Sequence, residues 1–170
     1  MLLRHAKSAW PDGIADHDRP LAARGQEAAP RIGAYLAEEQ LFPDLVLVSP
    51  ARRTRETWDL VREKLGEAPA RFDPRIYEAP AARLLTIVQE VEDETRALLM
   101  IGHNPGFDDL ARLLVGQGDR YAFARLAQKY PTAGLAVIDF AVEAWREVSR
   151  RSGRLDRFVT PKALGAEEDD

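Results

Sequence analysis

Short apolar runs alternate along this chain with longer stretches in which apolar residues recur every three or four positions. The runs have strand length and the stretches have helix length, so the pattern predicts an α/β fold: three layers, with helices on both faces of a mostly parallel central sheet. Strands are expected at residues 1–4, 45–48, 75–77, 97–101 and 135–140, with a further one near 156–159. Helices are expected to fill the gaps between them.

Within residues 22–39, Ala29, Ile32 and Leu36 recur at helical spacing, and Pro30 is expected to kink or break the helix. After the second apolar run, Ser49 and Pro50 read as a helix cap and first helical residue. Thr54, Trp58, Val61 and Leu65 then form a stripe that should face the sheet, with Arg53 on the first turn. Asn104-Pro105 repeats this start after Ile101-Gly102-His103, and Leu110, Leu113 and Leu114 supply the buried side of the next helix. Residues 129–134 read as a turn into the 135–140 strand. Trp58 and Trp145 suit packing, while Trp10 could pack or touch a ligand.

Composition narrows the picture. The 170 residues suit one domain over 1–162, followed by an Ala, Gly and acid tail at 163–170 that should be disordered. A net charge of −4 argues against general nucleic-acid binding, so the arginines at 52, 53 and 55 read better as local anion capture. There is no cysteine, hence neither a disulfide framework nor a thiolate site, which fits a reducing cytoplasm. No apolar run has the roughly 20 residues of a membrane helix, and no signal-peptide layout opens the chain. A soluble cytoplasmic protein is expected. Its first strand is either short or preceded by residues upstream of Met1.

Candidate chemistry comes from three strand ends. His5, preceded by Arg4, and His103 each stand where an apolar run gives way to a loop, and the run at 45–48 leads into Ser49 and the arginines. In an open parallel sheet such loops converge at the carboxyl ends of the strands. Guanidinium forks and helix N-termini both suit phosphate oxygens. Cationic neighbours would also keep His5 neutral and nucleophilic, while a protonated His103 would add a further donor.

The segments Leu3-Arg4-His5-Ala6-Lys7-Ser8, Ser49 through Thr57, and Ile101-Gly102-His103-Asn104-Pro105-Gly106 together resemble the histidine phosphatase superfamily. Asp18-Arg19-Pro20-Leu21 and Tyr77-Glu78-Ala79 make the chain look most like its SixA-type phosphohistidine phosphatase branch. The resemblance implies a phosphoglycerate mutase-like fold and a phosphatase without cofactor or metal. It implies His5 as nucleophile, passing through a phosphohistidine, with Arg4, Arg53 and His103 holding the phosphoryl group. Arg53 is preferred to Arg52 and Arg55 because family members place an arginine four residues after the serine. Asn104 is a further phosphate-binding candidate and Glu78 a candidate general acid. The implied partner is a phosphorylated protein or a small phosphorylated metabolite, with neither nucleic acid nor membrane. The short chain should leave an open site.

Taken singly, each residue has a plainer role. A strand-end histidine is more often structural, a lone arginine is usually on the surface, and Glu78 is one of 28 acids. Asp16-His17-Asp18 reads as a solvated loop rather than a metal site, and Asp108 and Asp109 as residues favouring a helix N-terminus. A mutase and a non-catalytic phosphoprotein-binding module are the alternatives to a phosphatase.

Overall fold

The computed structural model describes residues 1–166. Twelve regular elements follow in chain order: β1 (Leu2–Arg4), α1 (Ala23–Glu38), β2 (Leu45–Val48), α2 (Arg52–Arg62), β3 (Ala70–Phe72), α3 (Ala81–Gln89), β4 (Leu98–Gly102), α4 (Gly106–Leu114), β5 (Val115–Gly118), α5 (Arg120–Gln128), β6 (Leu135–Phe140) and β7 (Gly153–Val159). The strands form one seven-stranded sheet in the order β3-β2-β4-β1-β6-β7-β5. β1, β2, β3 and β4 pair in parallel, as do β5 and β7. Only β6 runs against its neighbours β1 and β7.

Alternation along each central strand divides the core between the two faces. Leu3, Val46, Val48, Leu99, Ile101, Leu135 and Val137 pack with α1 and α2 through Ile32, Leu36, Trp58 and Val61. Leu2, Leu45, Leu47, Leu98, Met100 and Ala136 face the other way, toward Ile87, Leu110, Leu114 and Leu126 of α3, α4 and α5. The three-layer α/β expectation is met. α1 and α2 lie so close that a Cβ on Gly33 would sit 2.5 Å from the Val61 carbonyl oxygen.

Several local expectations need correction. Residues 75–77 are not a strand: Pro74–Ile76 forms a 3-10 turn, whose Asp73 carboxylate accepts from the Arg75 amide at 2.9 Å. Pro74 cannot supply a ladder donor, and Asp73 offers the backbone a turn instead. The pairing strand is β3, three exposed residues at one sheet edge, and β5 (Val-Gly-Gln-Gly) forms the opposite edge. Edge strands need no apolar run, so neither carries the signal that marks the central ones. The expected strand at 156–159 begins earlier, at Gly153.

α1 runs through Pro30 as one helix, because Ala28, Ala29, Ile32 and Leu36 on both sides are buried and tertiary packing outweighs one lost hydrogen bond. Ser49 and Pro50 are not cap and first residue of α2, which starts at Arg52 with Ala51 as its N-cap. The predicted stripe of Thr54, Trp58, Val61 and Leu65 is buried, although Leu65 lies past the helix end. The expected disordered tail is ordered over its first residues. Lys162–Leu164 forms a 3-10 turn, and Arg31 reaches the Leu164 carbonyl at 3.1 Å. Residues 167–170 lie outside the described residues. Trp58 is buried, and Trp145 donates its indole N–H to the Thr95 carbonyl at 2.7 Å. No helix among the described residues is long and apolar enough to cross a membrane.

Candidate active site at the carboxyl ends of three strands

Strand register alone brings the predicted residues together. Arg4 is level with Gly102 and Val48 with Ile101, and the ladder continues one step further through His5 N–H to the Gly102 carbonyl and Ser49 N–H to the Ile101 carbonyl, each at 3.0 Å. His5, Ser49 and His103 therefore leave adjacent parallel strands at one level. The two imidazole centroids stand 5.4 Å apart, and Ser49 Oγ lies 2.7 Å from His103 Nε2. Gly102 has to be glycine, since a Cβ there would meet the buried Phe107 ring at 2.4 Å.

The protonation state of His5 follows from its surroundings. Its Nδ1 lies 2.7 Å from the Ala6 carbonyl oxygen, and a carbonyl can only accept, so Nδ1 bears the proton and Nε2 the lone pair. Ala6 is itself anchored. Its N–H donates to Thr57 Oγ1 at 3.0 Å, and that hydroxyl donates to the Arg53 carbonyl at 2.7 Å. A buried chain thus runs from the first turn of α2 to the His5 tautomer. Burial pushes the His5 pKa well below its ordinary value; the Ala6 bond opposes this, while His103, Arg4 and Arg53 add to it.

His103 follows the same logic. Burial first, then the Arg53 charge, lower its pKa to about 3, against the opposing pull of Asp16. The ring is therefore neutral at neutral pH, because a further buried cation beside Arg4 and Arg53 is too costly; the donor expected of a protonated His103 requires its pKa to be raised first.

Arg4 donates through Nη1 to the Tyr130 carbonyl at 3.0 Å, and its charge is disfavoured mainly by burial. Arg53 is buried and donates from Nη1 to the Asp16 carbonyl at 2.7 Å and from Nη2 to Asp16 Oδ2 at 3.2 Å. Three buried side-chain atoms among the described residues lack a hydrogen-bond partner: Arg4 Nε, Arg53 Nε and His103 Nδ1. All three belong to residues singled out from sequence. A guanidinium Nε can only donate, so two cationic donors beside the histidines have no acceptor among the described residues. An oxyanion such as a phosphoryl group meets that need.

Other candidates sit differently. The Asn104 amide is engaged at both ends, donating to the Tyr130 carbonyl at 2.9 Å and accepting from Asp108 N–H at 3.2 Å, so it braces the start of α4. Glu78 follows a 3-10 turn rather than a strand, in a left-handed conformation (φ 56°) with an exposed side chain. Its expected strand-end setting is thus absent. Asp108 and Asp109 lie in the first turn of α4 as anticipated. Trp10 is exposed, with the Arg19 guanidinium stacked 3.5 Å from its ring centroid.

Sequence reasoning missed four contributors. Ser49 looked like a cap but holds His103, and Thr57 bore no mark beyond its buried spacing. Asp16 looked solvated, yet its carboxylate accepts from Arg19 Nε at 3.0 Å, from Arg53 and from the Tyr77 hydroxyl at 2.5 Å. Led by the Tyr77 bond, these contacts hold Asp16 down at about 2. The Tyr77 ring also packs edge-on against His103 at 5.5 Å. Only the folding of the loop after β1 separates Asp16 from its neighbour Asp18.

A buried histidine with a ring nitrogen left unbonded, a second histidine and two arginines with unsatisfied donors, gathered at the strand ends of a mostly parallel sheet, suit a protein that handles phosphoryl groups. The chain belongs to the histidine phosphatase superfamily (branch 1), whose family model matches residues 1–108, and is of its SixA type. An uncharacterized protein of Mycobacterium tuberculosis strain H37Rv is 39% identical over 162 residues, covering 94% of this chain and all of the relative. A structure from Agrobacterium tumefaciens, a candidate phosphohistidine phosphatase SixA, is 30% identical with a TM-score of 0.80, covering 94% of this chain and 96% of that one. A protein histidine phosphatase SixA solved with tungstate shares the fold at a TM-score of 0.78 and 20% identity, covering 96% and 97% of the two chains. The chain is accordingly a phosphatase of this superfamily.

Thr57→Val keeps the side chain's shape but leaves the Ala6 N–H without its acceptor. We expect stability to fall by about 1–3 kcal/mol in urea titrations and kcat to fall by roughly 10-fold or more, with Thr57→Ser restoring both. An unchanged kcat in Thr57→Val would show that the hydroxyl does not orient His5.

The histidines also set a pH dependence of folding. Because the folded pKa of His103 is about 3 against an ordinary 6.5, the unfolded chain binds the extra proton throughout that interval. Stability contributed by the neutral ring is therefore complete above about pH 6.5 and is lost progressively as pH falls toward 3. Urea midpoints should drop across this window, less steeply in His103→Asn and less steeply when inorganic phosphate is present.

Proposed function

We propose that the protein is a metal-independent phosphatase that works through a phosphohistidine on His5, acting on a protein phosphohistidine or a phosphate monoester. One observation carries this reading: a histidine whose tautomer leaves Nε2 free is surrounded by buried cationic donors that have no partner. The likeness to SixA structures supports the same chemistry. The cysteine-free composition suits a cytoplasmic setting.

In the first step His5 Nε2 attacks phosphorus, a P–Nε2 bond forms, and the bond to the leaving group breaks. Positive charge that spreads over the ring is shared with the Nδ1–H to Ala6 bond. Arg4 and Arg53 donate to the equatorial oxygens, where charge stabilisation is the main contribution a protein makes to phosphoryl transfer. His103, neutral beside the arginines, has its pKa raised by the arriving dianion and becomes a further donor. Water then attacks phosphorus, the P–Nε2 bond breaks, and inorganic phosphate leaves. An imidazole leaving group departs more readily than an alkoxide, so a phosphoramidate makes less demand for a general acid. Glu78 and Asn104 keep secondary places in this scheme: Glu78 as a rim carboxylate and Asn104 as a brace beside the phosphoryl oxygens.

Phosphate release from p-nitrophenyl phosphate and from a phosphohistidine-bearing protein, for wild type and His5→Ala, tests this directly. Release that survives EDTA and falls by about 1,000-fold or more in the variant is expected. Undiminished release by His5→Ala would overturn the assignment.

A further inference from the structure

The pocket is built in two levels. Arg53 and Arg19 are buried, each with about 7% of the side chain exposed, whereas the Asp16 carboxylate between them is 44% exposed. Asp16 thus stands between the Arg53 guanidinium and solvent. Tyr77, half-buried, donates its hydroxyl to the same carboxylate, and burial together with that carboxylate raises the Tyr77 pKa to about 12. The phenol therefore stays a donor and Asp16 stays an anion. Around them the exposed acids Asp18 and Glu78 add charge of the same sign, Glu78 near enough to act electrostatically on Tyr77. The third histidine, His17, packs edge-on against Tyr77 at 4.8 Å, with Nδ1 3.8 Å from Asp18. A cationic floor lies beneath a carboxylate rim.

Any phosphoryl group that reaches Arg53 carries its bearer past this rim. Resting on the phosphatase reading above, we propose that Asp16 is a specificity-determining residue that selects phosphoryl groups borne on uncharged or cationic carriers and disfavours carriers with a second anion close to the phosphoryl group. The floor attracts the phosphoryl oxygens of every substrate alike, so it cannot make this distinction. Asp16 can, because a carrier carboxylate would lie a few ångströms from its own in a partly solvated mouth. Arg19 does not cancel that repulsion: it is buried under Trp10 and already bonds Ser8 Oγ at 2.7 Å and Asp16 Oδ1. An imidazole or amide-bearing carrier would instead find an acceptor in Asp16.

Two three-carbon phosphates that differ by one carboxylate isolate the effect. Glycerol 3-phosphate and 3-phosphoglycerate are to be measured as competitive inhibitors of p-nitrophenyl phosphate hydrolysis by wild type, Asp16→Asn and Glu78→Gln. In the wild type the Ki for 3-phosphoglycerate should exceed that for glycerol 3-phosphate by about three- to tenfold, the size of a like-charge repulsion over several ångströms at high dielectric. Asp16→Asn should bring the ratio to within about twofold, and Glu78→Gln should move it less in the same direction. A merely structural role of Asp16 would raise both constants and leave their ratio alone. Equal constants in the wild type, no inhibition by glycerol 3-phosphate, or a ratio unmoved by the variants would overturn the proposal. Should Asp16→Asn fail to fold, Glu78→Gln decides alone. If the wild type hydrolyses neither p-nitrophenyl phosphate nor a phosphohistidine-bearing protein, the phosphatase reading itself falls, and the proposal with it.

Discussion

The parallel register of β1, β4 and β2 is the constraint on which the site depends. Because these strands end level, the amides of His5 and Ser49 hydrogen-bond the carbonyls of Gly102 and Ile101. That ladder places His5, His103 and Ser49 side by side without help from any loop. The turn before β6 secures the same corner from the other side: the Ala133 N–H donates to the His5 carbonyl at 3.0 Å, and the Tyr130 carbonyl receives both Arg4 and Asn104. A one-residue slip of β1 would carry Leu2 and Leu3 to the wrong faces of the sheet, so core packing protects the geometry of this corner.

The second organising feature is charge held in a dry place. Arg53 is buried and Arg4 partly so, each with a buried donor left over, and the two histidines remain neutral because further positive charge there is unfavourable. Burying charge and unpaired donors costs stability, a cost that a bound dianion would offset. Asp16 moderates this as a resident counter-charge, accepting from both terminal nitrogens of Arg53, whose Nε is left unpaired. The Thr57 bridge acts differently. It contributes no charge, but anchors Ala6, whose carbonyl fixes which nitrogen of His5 carries the proton.

How much of this was legible in the sequence depended on where each residue lies. The central strands and the helices beside them announced themselves through buried apolar periodicity, Arg4, His5 and His103 through their places at strand ends, and Arg53 through the family resemblance. The edge strands β3 and β5 carried no such pattern, since exposed edges place few demands on side chains. Pro74 and Asp73 turned the chain where an apolar alternation suggested a strand. Asp16 and Tyr77 meet across 61 positions of sequence, and Ser49 meets His103 across 54, so no local spacing could have paired them. The neutral state of His103 was likewise invisible, because it follows from burial and not from composition.

The central claim is that His5 Nε2 carries the phosphoryl group during turnover. Rapid quenching of the enzyme with substrate under alkaline conditions, followed by intact-mass and peptide mass spectrometry, tests it most directly. The account predicts a single phosphoryl adduct on the peptide containing His5, stable in base, lost in acid, and absent from His5→Ala. An enzyme that turns over substrate with no adduct at His5, or with the adduct on His103 or His17, would contradict it.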